Sequence, residues 1–162
     1  MSDDEDMMYD DGDEYFDDDD DQEDQNDEES EGVEIENQYY NSKGLIEDSI
    51  PDAIKSYEKV IDLEDGVKGE WGFKALKKIT KLNFQIENYD VMLEKYKQFL
   101  SYTKSAVTSN YSEKGINSIL DMISTNTKLD LDLVQKVYDL TLKCLLDAKN
   151  EVCFIDIIYF II

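Results

Sequence analysis

The chain has 162 residues, with 40 acidic residues against 16 Lys, no Arg and no His, for a formal charge of -24. That length suits one modest domain rather than several, and a charge of that sign disfavours non-specific binding to nucleic acid, whose phosphates it repels. The absence of His removes the usual near-neutral general base, and two cysteines far from any His make neither a zinc site nor a disulfide framework.

Residues 1–36 hold 21 of the acids and no Lys; the remaining 19 acids stand against 16 Lys, a balance of -3. Such a segment repels itself and cannot bury enough apolar surface to offset its ordering entropy, so a disordered acidic N-terminal tail is expected over 1–36. Its start is acidic rather than basic and apolar, unlike a secretory signal or a transit peptide, and a reducing compartment is expected.

From residue 37 the apolar residues fall three and four apart, as at Leu93, Tyr96, Phe99 and Leu100, the mark of amphipathic helices. Helix starts are expected at Ser49 with Asp52, Asn110 with Glu113 and Thr127 with Asp130, each a capping residue followed three places on by an acid. Breaks are expected near 65–69, 87–88, 108–110 and 125–128.

An internal echo organises these helices. Ala53, Tyr57 and Val60 recur as Met92, Tyr96 and Phe99, the same spacing moved by 39 positions, and more weakly as Val134, Tyr138 and Thr141. Paired helices with an aromatic between apolar neighbours on the second helix predict an all-α, tetratricopeptide-like helical-repeat solenoid over 37–151. Trp71, Tyr57, Tyr96 and Tyr138 are expected to pack between helices, and Tyr39 and Tyr40 to seal the open end. Leu63, Leu76, Leu93, Phe99 and Ile119 complete the expected inner faces. Residues 152–162 are almost wholly apolar, too short a run to span a bilayer, which takes about 20 residues. They read as translated intron, because a Val codon opens with the GT of a splice donor.

Several stretches, in order, resemble the COP9 signalosome subunit 2 family: 36–43 (ENQYYNSK), 68–77 (KGEWGFKALK), 96–98 (YKQ), 105–108 (SAVT), 110–114 (NYSEK), 116–121 (INSILD) and 147–150 (DAKN). The resemblance covers about residues 36–151. It implies a non-catalytic scaffold subunit of the complex that removes a ubiquitin-like modifier from cullins, found in nucleus and cytoplasm. The partners so implied are a cullin–RING ligase and, at full length, the other signalosome subunits. It also implies a C-terminal PCI domain, before which this sequence is expected to be truncated. The family places Arg where this chain has Lys104 and Ser109, so a bidentate contact there would be weakened.

On the helix that follows Gly69, Lys74, Lys77, Lys78 and Lys81 share a face by three-four spacing, with Lys68 just before it. One reading is an anion-binding face that, with Lys104, meets an acidic cullin surface or, as the resemblance implies, an inositol polyphosphate. The other is the solvated face of a helix that buries Phe73, Leu76, Ile79 and Leu82. No catalytic residue, metal site or further cofactor is indicated, since phosphate-binding glycine loops and metal-ligand motifs are both missing. Two other readings are an acidic chaperone for basic proteins, in which the tail is the active part, and a proteasome-lid-like PCI subunit fragment.

Overall fold

The structure, a computed structural model, describes residues 29–147, with side chains described from residue 32. Six helices follow one another: α1 (Glu29–Leu45), α2 (Ile50–Leu63), α3 (Glu70–Gln85), α4 (Tyr89–Tyr102), α5 (Ser109–Thr125) and α6 (Leu131–Asp147), with no strand among the described residues. The fold is all-α. Residues 1–28 of the acidic run and the apolar run 152–162 lie outside the described residues.

Helix α1 begins at Glu29, inside the run expected to be unstructured. The acids of 29–36 are all Glu, a better helix former than the Asp that dominates earlier in the run. Tyr39 and Tyr40 therefore sit within the helix rather than at its start.

Packing follows a repeat plan. Helix α2 lies on α3, α3 on α4, α5 on α6, and the equivalent helices of successive pairs also meet, α3 with α5 and α4 with α6. The three echoed triplets fall on α2, α4 and α6, the second helix of each pair. Ala53, Tyr57, Val60, Met92, Tyr96 and Phe99 are fully buried. In α6 the stripe has slipped by one: Leu133, Val137, Thr141 and Leu145 are buried, while Val134 and Tyr138 are half-buried against the core. Tyr96 still reaches the third copy through a hydrogen bond with the Thr141 hydroxyl, and burial holds its phenol well above the usual tyrosine range.

Two apolar clusters result. The first joins Tyr39 of α1 to Ala53, Tyr57 and Val60 of α2 and Ala75, Ile79 and Leu82 of α3. The second runs from Phe73, Leu76 and Phe84 of α3 through α4 and α5 to Val137 and Leu145 of α6. Phe73, Leu76, Ile79 and Leu82 are all buried. Leu63, expected on an inner face, is 37% exposed because it ends α2 beyond the packed stripe. Gly115 permits the α3–α5 approach: a Cβ there would lie 2.9 Å from Phe73 Cζ and 3.1 Å from Phe99 Cζ.

The helix ends explain the boundaries. Ser49 caps α2, its hydroxyl accepting from Asp52 N at 3.4 Å, with Pro51 in the first turn. Helix α3 closes with Asn88 N donating to Asn83 O (2.9 Å) and Glu87 N to Phe84 O (3.0 Å), with Glu87 left-handed at φ 61°, the double bond pattern usually completed by Gly. Thr108, not Asn110, caps α5, its hydroxyl accepting from Tyr111 N at 3.3 Å. Before α6, Asn126 Oδ1 accepts from Lys128 N (3.0 Å) and turns the chain, so Asp130 rather than Thr127 meets the helix, accepting from Asp132 N at 3.3 Å. No helix among the described residues is long and apolar enough to cross a membrane.

Candidate partner interface

Six lysines were singled out by sequence, and their surroundings divide them. Helix α3 lies between α2 and α4 and meets α5 as well, so little of its circumference is left to solvent. Lys74 is 7% exposed. Its ammonium stands 3.2 Å from Glu70 Oε1, one turn back, and 4.6 Å from the centre of the Trp71 ring. Paired and shielded in this way, it holds the start of α3 together. Lys81 donates to Ser118 Oγ at 2.7 Å and so ties α3 to α5. Lys77 and Lys78 are half-buried. The three-four spacing is present, but the face it generates is a packed one.

Lys68 and Lys104 are exposed, and both stand at the C-terminal end of α4. Lys68 donates to Ser101 O at 3.3 Å and lies 5.5 Å from the centre of the Tyr102 ring, where its charge complements the negative end of the helix. Lys104 lies in the α4–α5 connection, two residues beyond Tyr102.

What sets Lys68 in place is a residue that sequence reasoning missed. Glu64 caps α2, after which Asp65 (φ 50°) and Gly66 (φ 81°) turn the chain through left-handed conformations. The Glu64 carboxylate then accepts from Gly69 N at 3.2 Å and Gly72 N at 2.7 Å, filling the N-terminus of α3. Gly69 itself supplies no side-chain cap. A Cβ at either glycine would fall on that carboxylate, and at Gly72 also 2.8 Å from Tyr102 Cε2. The two glycines beside Trp71 thus make room for an acid as well as for a neighbouring helix. Burial pushes the Glu64 carboxyl above its usual range, opposed by the two backbone N–H donors. The available signal was the order of residues: an acid, a turn-forming Asp-Gly, then two glycines three apart at a helix start.

The aromatic residues pack at this same end of α3. Trp71 is half-buried against the first cluster, its ring 5.2 Å from Tyr39 and 6.0 Å from Tyr40, and Tyr39 lies 5.4 Å from Tyr57. Tyr39 is buried, but Tyr40 is 46% exposed, so only one of the pair seals the end. Beneath them Gln38 Nε2 donates to Ser56 O (3.1 Å) and Ser56 Oγ (2.9 Å), and the Ser42 and Ser56 hydroxyls meet at 2.7 Å.

The residues of this end, from Gln38 through Trp71 to Lys74, lie within a chain of high likeness to named proteins. It is 76% identical over 151 residues to COP9 signalosome complex subunit 2 of Dictyostelium discoideum, covering 93% of this chain and 33% of that protein. The chain belongs to the COP9 signalosome subunit 2 family. The Drosophila melanogaster and Schizosaccharomyces pombe members are 58% identical over 119 residues and 43% identical over 122 residues, each across 74% of this chain. The chain spans 33% or less of the length of these three family members. No family model matches it.

Proposed function

We propose that this chain is the helical-repeat part of a non-catalytic signalosome scaffold subunit that holds a cullin–RING ubiquitin ligase while another subunit of the complex removes the ubiquitin-like modifier. The observation that carries the reading is the 76% identity to a signalosome subunit over 93% of the chain. In this reading the chain works with the other signalosome subunits in nucleus and cytoplasm, and a PCI domain lies in the rest of the full-length protein. The partner is met through Lys68 and Lys104, the exposed members of the basic set; Lys74 and Lys81 serve the fold. An inositol polyphosphate is the small anion of matching charge for the same two side chains. Lys grips it as a point charge rather than with a fork, so its contact weakens with salt.

The test is co-elution of the full chain with a neddylated cullin–RING complex. The intact chain is expected to bind, and a Lys68→Glu, Lys104→Glu double variant to bind at least about tenfold more weakly. Equal binding by both would remove these lysines from the interface, and no binding by the intact chain would contradict the scaffold reading.

A further inference from the structure

Among the described residues, helix α1 leaves one long face uncovered. Val33, Asn37, Tyr40 and Gly44 follow one another at four, three and four residues, one side of a helix, and all are exposed, Val33 at 51% and Tyr40 at 46%. A Cβ built on Gly44 would meet nothing within 4 Å, so the face is open along its length. Beside it lies Trp71, whose ring meets Tyr40 edge-on at 6.0 Å and 69°. Half-exposed aromatic pairs of this kind supply large contact area at low entropic cost, which is why Trp and Tyr anchor interfaces.

The charges around the pair specify what it would receive. Glu36 lies one turn before Tyr40 and Glu34 lies near Val33, both exposed, while Glu70, before Trp71, is paired with Lys74. The Trp71 ring already takes an ammonium on one face, that of Lys74 at 4.6 Å. Tyr40 offers a comparable ring with an acid beside it. Phosphate-bearing partners, nucleic acid or an anionic membrane, are repelled by these carboxylates.

We propose that the Val33–Tyr40 face of α1, with Trp71, docks a basic segment of a partner protein that carries both apolar and Arg or Lys side chains. The apolar side chains lie on Val33 and in the space above Gly44. A cation stacks on Tyr40 within reach of Glu36. The proposal does not depend on which partner meets Lys68 and Lys104, which stand at the end of α4.

Trp71 is the only tryptophan in the chain, so its fluorescence reports on this surface directly. The full chain is titrated with a helical peptide alternating Leu and Arg by the turn, and with a Gly/Lys peptide of equal charge that can bind the acidic run but cannot fill an apolar face. The Leu/Arg peptide is expected to change Trp71 emission saturably, and the Gly/Lys peptide to leave it unchanged. In Tyr40→Ala and Gly44→Arg variants the affinity should fall at least about tenfold. Gly44 is open and Arg is a better helix former than Gly, so the Gly44→Arg melting temperature should not fall, which keeps the test independent of the ring contacts with Tyr39 and Trp71 that Tyr40→Ala gives up. Identical responses to the two peptides, or binding that survives both substitutions, would overturn the proposal. So would an emission change produced as readily by duplex DNA or anionic vesicles.

Discussion

Helix α3 and helix α1 have similar lengths and both carry aromatics, yet they bury very different shares of themselves. Of α3, Gly72, Phe73, Lys74, Ala75, Leu76, Ile79, Thr80, Leu82, Asn83 and Phe84 are buried; of α1, only Tyr39 and Ser42 among its described side chains. The difference comes from position in the stack. A helix with neighbours on several sides buries even a lysine, provided a partner carboxylate and an aromatic ring are at hand, whereas the first described helix keeps a tyrosine in water. The charge on Lys74 is therefore held within the fold, and the proposed contacts with other molecules lie on the connections and on α1.

That contrast can be broken most forcefully at the centre. Phe73→Ala should cost about 3–5 kcal/mol, measured by urea denaturation, since it empties a fully buried site between Phe99 and Tyr111. Gly72→Ala should cost about 1–3 kcal/mol, because the new methyl group meets the Glu64 carboxylate and the Tyr102 ring. Around α1 and the face of α2 that meets it the effects shrink. Ser56→Ala, which removes the hydroxyl shared by Gln38 and Ser42, should cost about 1–2 kcal/mol, while Val33→Ala should stay within about 0.5 kcal/mol. Glu87→Gly should have the opposite sign, raising stability by about 0.5–1 kcal/mol by relieving a left-handed non-glycine residue.

Glu64 adds a dependence on pH. Its carboxyl titrates higher in the folded chain than in the unfolded one, so the folded state binds the proton more tightly. The stability it contributes is complete below the unfolded value and is lost as pH rises through the folded one. The difference between the intact chain and Glu64→Gln, followed across about pH 4 to 6, should therefore narrow as pH rises, apart from a constant offset for the lost N–H contacts. A difference that widens would place the folded value below the unfolded one.

Much of this arrangement was legible in the sequence. The 39-residue echo marks the second helix of each pair because the same packing problem, an aromatic between two helix pairs, recurs there. The Ser49 cap and the break at 87–88 were visible for equally local reasons. What escaped reading depended on position in the fold. Spacing placed Lys74, Lys77, Lys78 and Lys81 on one face but not what covers that face, which is set by helices distant in sequence. Glu64 acts across a turn on a helix that begins six residues later, and pattern reading within single helices passes over it. The start of α1 is hidden by composition: the acidic run looks uniform, although its Asp gives way to Glu at 29–36. The slip of the third echo copy follows from α6, where Leu133 and Val137 offer better apolar cover than Val134 and Tyr138.

The claim at the centre of this account is that α3 is a buried spine and that partners are met at the rim. Hydrogen exchange of the full chain, alone and with a neddylated cullin–RING complex, tests it most directly. The account predicts that α3 amides are strongly protected in both states and that new protection on binding falls in the connections bearing Lys68 and Lys104. New protection centred on residues 74–81, with those connections unchanged, would contradict it.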